Sequence, residues 1–262
     1  MSRGRRSTPN VKEYFDQQSS CYLDERYVRP SCDQFSYQSR RRLALEFLGS
    51  GPGNVVDVGS GPGILSHDLI ARGYAVCEVD ISLEMLRESR RRVGQGNGRG
   101  PVRFVEGCLP DLPFAHASFD AAACIGVFAY LKDPAASLRE IRRVLKPGGI
   151  LVMQVSNSAC PTSRLHSLLR RGYRRLGEAL GGRSYPHLRI PLASFRLAAL
   201  RRLLAQEQFE VEDWGHYDFR APFVEWIAPA GALAVAARLQ RLEHSSSLGW
   251  LAEGIVLKAR VT

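Results

Sequence analysis

The stretch Val55-Val56-Asp57-Val58-Gly59-Ser60-Gly61-Pro62-Gly63 constrains this chain more than any other. An apolar run that ends in Asp-x-Gly-x-Gly-x-Gly reads as a buried parallel strand feeding a tight glycine turn. Residues without a Cβ let the backbone come close to a bound ligand. Ile64 to Ala71 reads as a helix, so the turn sits at a strand-to-helix junction, where open α/β sheets bind ligands. An ordinary turn is the plain alternative. A dinucleotide fingerprint needs Gly-x-Gly-x-x-Gly. Counted from Gly59, its third position is Ile64, and the third glycine comes one residue early at Gly63. Asp57, just inside the strand end, suits a ligand with an ammonium group better than a pyrophosphate.

Ala75-Val76-Cys77-Glu78-Val79-Asp80 reads as a second strand that ends in a carboxylate. Asp80 falls about 20 residues after the glycine turn, where an acidic side chain accepts both hydroxyls of a ribose. Its other reading is a cap for the helix that begins near Leu83.

Two further segments follow in order: Leu112-Pro113-Phe114 with Ser118-Phe119-Asp120, and Arg143-Val144-Leu145-Lys146-Pro147-Gly148-Gly149. With Val55–Gly63 and with Val79-Asp80-Ile81-Ser82 and Met85-Leu86, they make the chain resemble the class I S-adenosylmethionine-dependent methyltransferases, in particular the small-molecule group. The resemblance spans residues 40–156. It implies an α/β fold: a Rossmann-like seven-stranded sheet, parallel with one antiparallel strand, flanked by helices and capped by helical insertions. It also implies S-adenosylmethionine as cofactor. Gly59, Ser60, Gly61 and Gly63 would line its methionine part, and Asp57 would bind its ammonium group. Asp80 would hold the ribose hydroxyls and Ile81 would pack on the adenine. The third-strand end, Cys108 and Leu109, would face the adenine edge. Cysteine is a poor acceptor for an amino group, so backbone groups, Leu109 and Ile81 are expected to carry that contact. The segment after the fourth strand, Cys124 to Leu131 with Ile125, would touch both the methionine part and the acceptor. Val11, Tyr14, Phe15, Gln18 and Tyr22 recur at helical spacing. The resemblance makes this helix a lid, with Tyr14 and Tyr22 facing the ligands.

Methyl transfer from a sulfonium is an in-line displacement, in which the protein mainly positions and desolvates the reactants. An oxygen acceptor needs proton removal. His216, after the sixth expected strand, is assigned as the base and Tyr130 as an orienting hydroxyl. The expected function is methyl transfer to a small molecule, an oxygen of a hydrophobic or amphiphilic metabolite of secondary-metabolite, quinone, lipid or sugar type. An RNA methyltransferase and a non-catalytic S-adenosylmethionine-binding protein are the alternatives. Nucleic acid is disfavoured because Cys124-Ile125-Gly126-Val127 stands where an Asn/Asp-Pro-Pro-aromatic motif would begin. No carboxylate occurs at that strand end, which disfavours metal-dependent transfer.

Composition adds bounds. The chain has 262 residues, 45% of them hydrophobic, and carries a net charge of +10, which favours anionic partners. Six cysteines are scattered without a C-x-x-C pair, so no zinc site is expected and reduced thiols in a cytoplasmic protein are. No apolar stretch follows the basic N-terminus, so no signal peptide is read there. The apolar run Trp226 to Ala237 is too short to span a bilayer, which leaves peripheral membrane contact open.

The expected organisation is a disordered tail over 1–10, then a lid helix and cofactor-binding core over 11–156. A helical insertion on the acceptor side covers 157–193. The rest of the core covers 194–262, with a second helical insertion at 219–252. Core strands are expected near 54–58, 75–80, 102–106, 119–124, 149–155, 209–217 and 254–261, and helices after Pro134 and over 194–208. Arg40-Arg41-Arg42 is expected to begin a polar helix face. In the insertions, Phe223, Trp226, Ile227 and Leu233 suggest an apolar acceptor, and Arg170, Arg171, Arg174 and Arg175 an anionic group on it. His187 reads as a loop residue.

Overall fold

The computed structural model describes residues 11–95, 101–162, 192–220, 228–245 and 247–262. The tail over 1–10, most of the first insertion (163–191) and residues 221–227 and 246 of the second lie outside the described residues, with Arg170, Arg171, Arg174, Arg175, His187, Phe223, Trp226 and Ile227.

Among the described residues, seven strands form one sheet: β1 (Asn54–Val58), β2 (Ala75–Asp80), β3 (Val102–Glu106), β4 (Phe119–Cys124), β5 (Leu145–Ser156), β6 (Phe209–Tyr217) and β7 (Gly254–Val261). Their spatial order is β3-β2-β1-β4-β5-β7-β6. β1 through β5 pair in parallel, and β7 runs antiparallel between β5 and β6. The order reverses between β1 and β4, which opens a crevice at the carboxyl ends of those strands.

Strand periodicity builds a core on each face. Leu151 and Met153 point into one cluster with Val56, Cys124, Ile141, Leu200 and Ile255, while Val152 between them joins Val55, Leu43, Phe47, Leu69 and Val256 on the other. Helices α5 (Pro134–Val144) and α6 (Leu197–Gln206) cover the first face, and α2 (Cys32–Leu48) and α3 (Ile64–Ala71) the second. Local chemistry starts these helices. Ser31 Oγ accepts from Gln34 N at 3.0 Å before α2. Asp133 accepts from Ala136 N at 2.9 Å ahead of α5, with Pro134 at its first position. Ser82 Oγ accepts from Met85 N at 3.2 Å at the start of α4 (Leu83–Gln95), so Ser82, not Asp80, caps that helix.

Two expected boundaries move. Pro147-Gly148-Gly149 does not close α5, which ends at Val144; β5 begins at Leu145, and its pairing with β4 shifts register across that segment, with Gly148 at φ 71°. The helix expected over 194–208 begins at Leu197, because Phe195 is held in a strand-like bridge, accepting from Ser158 N and donating to Ser156 O. Within the second insertion, α7 (Pro229–Leu239) supplies part of the expected helical character. No helix among the described residues is long and apolar enough to cross a membrane.

At the amino end, α1 (Val11–Gln18) and a short π-helical turn (Asp24–Val28) lead into α2. They lie over the crevice. Lys12 Nζ donates to Ile81 O at 2.8 Å and to Glu106 at 3.0 Å, and Ser82 Oγ donates to Asp16 at 2.6 Å. Both ties fasten α1 to the ends of β2 and β3.

Leu151 is fully buried at the centre of the sheet. Leu151→Ala should lower the unfolding free energy by about 2–5 kcal/mol in urea titrations. A loss under about 1 kcal/mol would contradict this core.

Candidate active site

A cavity of about 470 Å³ occupies the crevice, a volume within the range of small-molecule sites. Its floor comes from the carboxyl ends of the first four strands: Val58, Gly59 and Gly61 after β1, Asp80 and Ile81 after β2, Gly107 to Pro110 after β3, and Ile125 to Val127 after β4. Its roof comes from the amino-terminal segment, with Tyr14, Phe15, Tyr22, Arg26, Tyr37 and Arg40. A smaller recess beside Asp57, Ser60 and Pro62 opens between Tyr22, Tyr27 and Arg40.

The floor is held by backbone geometry. Gly59 adopts φ 72° and donates to Val79 O at 2.7 Å. A Cβ at that position would stand 2.1 Å from Val127 Cγ2. Gly61 N donates to one Asp80 oxygen and Ser82 N to the other, each at 2.8 Å. Asp80 thus joins the glycine turn to the end of β2 and keeps lone pairs for a further donor. Gly63 opens α3 at φ 71°, where a Cβ would meet Ser89 Oγ at 1.9 Å.

The floor also contains an element that the sequence did not disclose. β1 and β2 pair with Asp57 opposite Glu78, which sets two buried carboxyls side by side under the loop. Ser66 Oγ donates to Asp57 at 2.8 Å. Neither Glu78 oxygen has a hydrogen-bond partner among the described residues, and the neighbouring Ser60 and Ser89 hydroxyls are equally unpaired. Burial pushes Asp57 up to about 7, against the Ser66 hydrogen bond, and burial does the same to Glu78. Burial also raises Asp80, partly offset by the amide hydrogen bonds.

The roof is aromatic and cationic. Phe15 packs edge-on against Tyr130 at 5.5 Å between centroids, and Tyr22 against Tyr37 at 6.2 Å. The Arg40 guanidinium lies 3.8 Å from the Tyr37 ring centroid. Arg40 was expected on a polar face. It turns inward instead, because it follows Tyr37 by three positions and so shares the helix face that carries Tyr37 and the buried Ser36 and Leu43. Arg42 does face outward, onto Glu46 at 3.4 Å, while Arg41 borders the recess and pairs with Asp68 at 2.6 Å. Arg40 forms no ion pair among the described residues, and its buried Nε has no partner.

Of the expected site residues, Gly59, Gly61, Asp80, Ile81, Cys108, Leu109, Ile125, Tyr22 and Tyr130 line the cavity; Asp57 and Ser60 line the adjoining recess. Gly63 shapes the turn beneath. Tyr14 joins Tyr22 in the roof. His216 is not brought to either. It sits buried in β6, its backbone N–H donating to Glu243 O at 2.7 Å and its Nδ1 lying 3.2 Å from the same oxygen, with Gly249 pressed against the ring. Burial lowers its pKa. His216 is therefore no base: it lies within β6 rather than after it, and its side chain serves the packing of 240–251 on the sheet. Tyr130 is in place, yet burial pushes its hydroxyl up to about 12, which leaves it a donor and not a base at neutral pH.

Residues 56–153 match the family described as "Methyltransferase domain". A demethylmenaquinone methyltransferase of Renibacterium salmoninarum is 38% identical over 114 residues, 43% of this chain and 46% of that protein. A ubiquinone biosynthesis O-methyltransferase of Psychrobacter cryohalolentis is 32% identical over 120 residues, 45% of this chain and 46% of that protein. The chain thus spans about half the length of these curated relatives. The solved magnesium protoporphyrin IX methyltransferase of Synechocystis, with bound S-adenosylhomocysteine, superposes with a TM-score of 0.63 at 15% identity, covering 96% of this chain and 98% of that one. That likeness shows the fold: the class I methyltransferase fold, as the motifs implied.

Glu78 gives a test. A carboxyl with a raised native pKa stabilises the fold relative to the unfolded chain below the ordinary carboxyl value, and this is lost as pH rises through about 7. Stability should therefore fall between pH about 4.5 and 7, and Glu78→Gln should fall less steeply in urea unfolding at stepped pH. Equal slopes for the two proteins would contradict a carboxyl raised by burial against its neighbouring serine hydroxyls.

Proposed function

From a chain that has the class I methyltransferase fold and a methyltransferase domain over residues 56–153, we propose an enzyme that transfers a methyl group from S-adenosylmethionine to a small, flat, largely apolar acceptor, on an oxygen of a quinone-like ring. The observation that carries this reading is one cavity with a floor of strand-end residues and a roof of aromatic and cationic side chains, joined to the recess at Asp57 through Tyr22, Arg40, Gly59, Gly61 and Ile125.

The floor fits the cofactor. Asp80 offers free lone pairs at the end of β2, and Ile81 and Leu109 offer apolar surface beside it for a purine. The carboxyl of Asp57 lies at the recess by the turn, ready to accept from an ammonium group. Arg40 borders the same recess and supplies the cation that the carboxylate of an amino acid requires. Its unpaired Nε and the unpaired Ser60 hydroxyl are donors without partners, as a polar ligand demands. Cys108, exposed at the purine end, adds little to recognition. The cofactor supplies an electrophilic methyl group on a sulfonium.

The roof serves the acceptor. Phe15, Tyr37 and Tyr130 provide ring faces and edges, and the relatives include a demethylmenaquinone methyltransferase and an O-methyltransferase of ubiquinone biosynthesis. The protein binds both reactants, orients them across the wall at Gly59 and Ile125, and excludes water under α1. The ties from Lys12 and Asp16 keep α1 closed over the site.

Calorimetry with S-adenosylmethionine and with S-adenosylhomocysteine should show micromolar binding of each. Asp80→Ala should weaken it by about 1.5–3 kcal/mol, the scale of hydrogen bonds to a charged group. Folded protein that gives no heat with either ligand would overturn the function, and normal binding by Asp80→Ala would overturn the ribose contact.

A further inference from the structure

We propose that the acceptor is bound with its reacting group already ionised, as a phenolate, enolate or hydroquinone-type anion, and that the transfer uses no base among the described residues. The proposal rests on the methyltransferase reading above and concerns the roof half of the cavity.

Among the described residues, the titratable groups of the roof are donors or cations. Tyr14 projects from α1, Arg26 from the π-helical turn, Tyr37 and Arg40 from α2, and Tyr130 from the segment after β4. Burial raises the Tyr14 hydroxyl and pushes Tyr130 up to about 12, so both keep their protons at neutral pH. Guanidinium groups do not titrate in the accessible range. Around Arg40, the hydroxyls of Tyr22, Tyr27 and Tyr217 are also lifted by burial, so they too remain neutral donors.

The carboxylates lie on the cofactor side: Asp57, in the adjoining recess, accepts from Ser66 and is placed for the cofactor's ammonium group, and the remaining lone pairs of Asp80 are placed for the ribose. Asp80 holds the amides of Gly61 and Ser82. Asp133 caps α5, next to a further cation, Lys132, on the cavity wall. Asp33 is the carboxylate nearest Arg26, at 3.2 Å, but it also pairs with Arg220 and is half exposed. Arg26 and Arg40 stand over the Tyr37 ring at 5.6 and 3.8 Å. A cofactor carboxylate that takes up Arg40 would leave the sulfonium as a further uncompensated positive charge. The half-cavity therefore presents positive charge and hydrogen-bond donors within aromatic walls. An opposite charge within about 4–6 Å lowers an acid's pKa by about 1–3 units. A flat conjugated anion satisfies the donors, offsets the charge, and packs on the rings with its own charge spread over many atoms.

The step balances without a base. The acceptor loses its proton to solvent before or during binding. Its electron pair, on oxygen, forms the new bond to the methyl group as the methyl–sulfur bond breaks, with those electrons retained by sulfur. One cation and one anion become two neutral products, and no proton passes to a side chain.

The test uses 4-nitrophenol, whose phenolate is coloured, with protein saturated in S-adenosylhomocysteine; calorimetry checks the saturation separately. The bound phenol should stay in its phenolate form at a pH where the free phenol is protonated, its apparent pKa lowered by about one unit or more, a tenfold preference. Arg26→Gln should abolish most of the shift, and Tyr14→Phe, which removes only a hydroxyl, should reduce it, with S-adenosylhomocysteine affinity unchanged in both. A bound phenol with an unchanged or raised pKa would overturn the proposal. So would the absence of phenol binding up to millimolar concentrations while S-adenosylhomocysteine binds. A failure of S-adenosylhomocysteine itself to bind would overturn the cofactor reading and this proposal with it.

Discussion

The close approach of backbone to neighbouring strands at Gly59 is the contact on which the rest of the site depends. Gly59 sits in the left-handed region with Val127 against its Cα, and its N–H is spent on Val79 O. A side chain there would collide with Val127, which must then shift with the segment after β4. Ile125, Val127 and Tyr130 would move with that segment, and both halves of the cavity would lose their common wall. The amide of Gly61 then fixes Asp80, so the ribose candidate and the glycine turn are placed by one another. Few atoms set this geometry: the Gly59 and Gly61 backbone, the Val127 side chain and the Asp80 carboxylate, all at the carboxyl ends of central parallel strands.

The electrostatics divide along the same line. Carboxyls gather below the loop, at Asp57, Glu78 and Asp80, and cations gather in the roof, at Arg26 and Arg40. A zwitterionic amino acid moiety with a neighbouring sulfonium lies naturally between such layers. Burial sharpens the contrast, because charges that face a low-dielectric cavity interact more strongly than charges in water. It also explains why the carboxyls of the floor have raised pKa values while the tyrosines of the roof keep their protons.

The sheet was legible because its strands are short apolar runs that end in turn residues: Val55-Val56 before the glycines, Val79-Asp80 before Ser82, and Ile255-Val256-Leu257 between β5 and β6. Cofactor candidates were legible because they sit at strand ends, at positions that backbone spacing fixes. Three features were not. Arg40 looked like one of a surface run of arginines, and only its three-residue spacing from Tyr37 hinted at the inward face. Glu78 was hidden inside an apolar strand, and its pairing with Asp57 depends on register between strands distant in sequence. His216 had a suitable pKa and a suitable place in the chain order, but its ring direction is set by the packing of Gly249 and Glu243, which sequence spacing does not encode. The Pro-Gly-Gly segment misled in a different way: its turn chemistry was read as a helix stop, while it serves as a register shift inside β5.

A crystal structure of the protein with S-adenosylhomocysteine tests the central claim most directly. The account predicts the ribose hydroxyls on Asp80, the amino acid carboxylate on Arg40, and the sulfur facing the aromatic half beside Ile125 and Tyr130. A ligand that lay reversed, with its purine among Phe15, Tyr37 and Tyr130 and with Asp80 free of it, would contradict the division of the cavity.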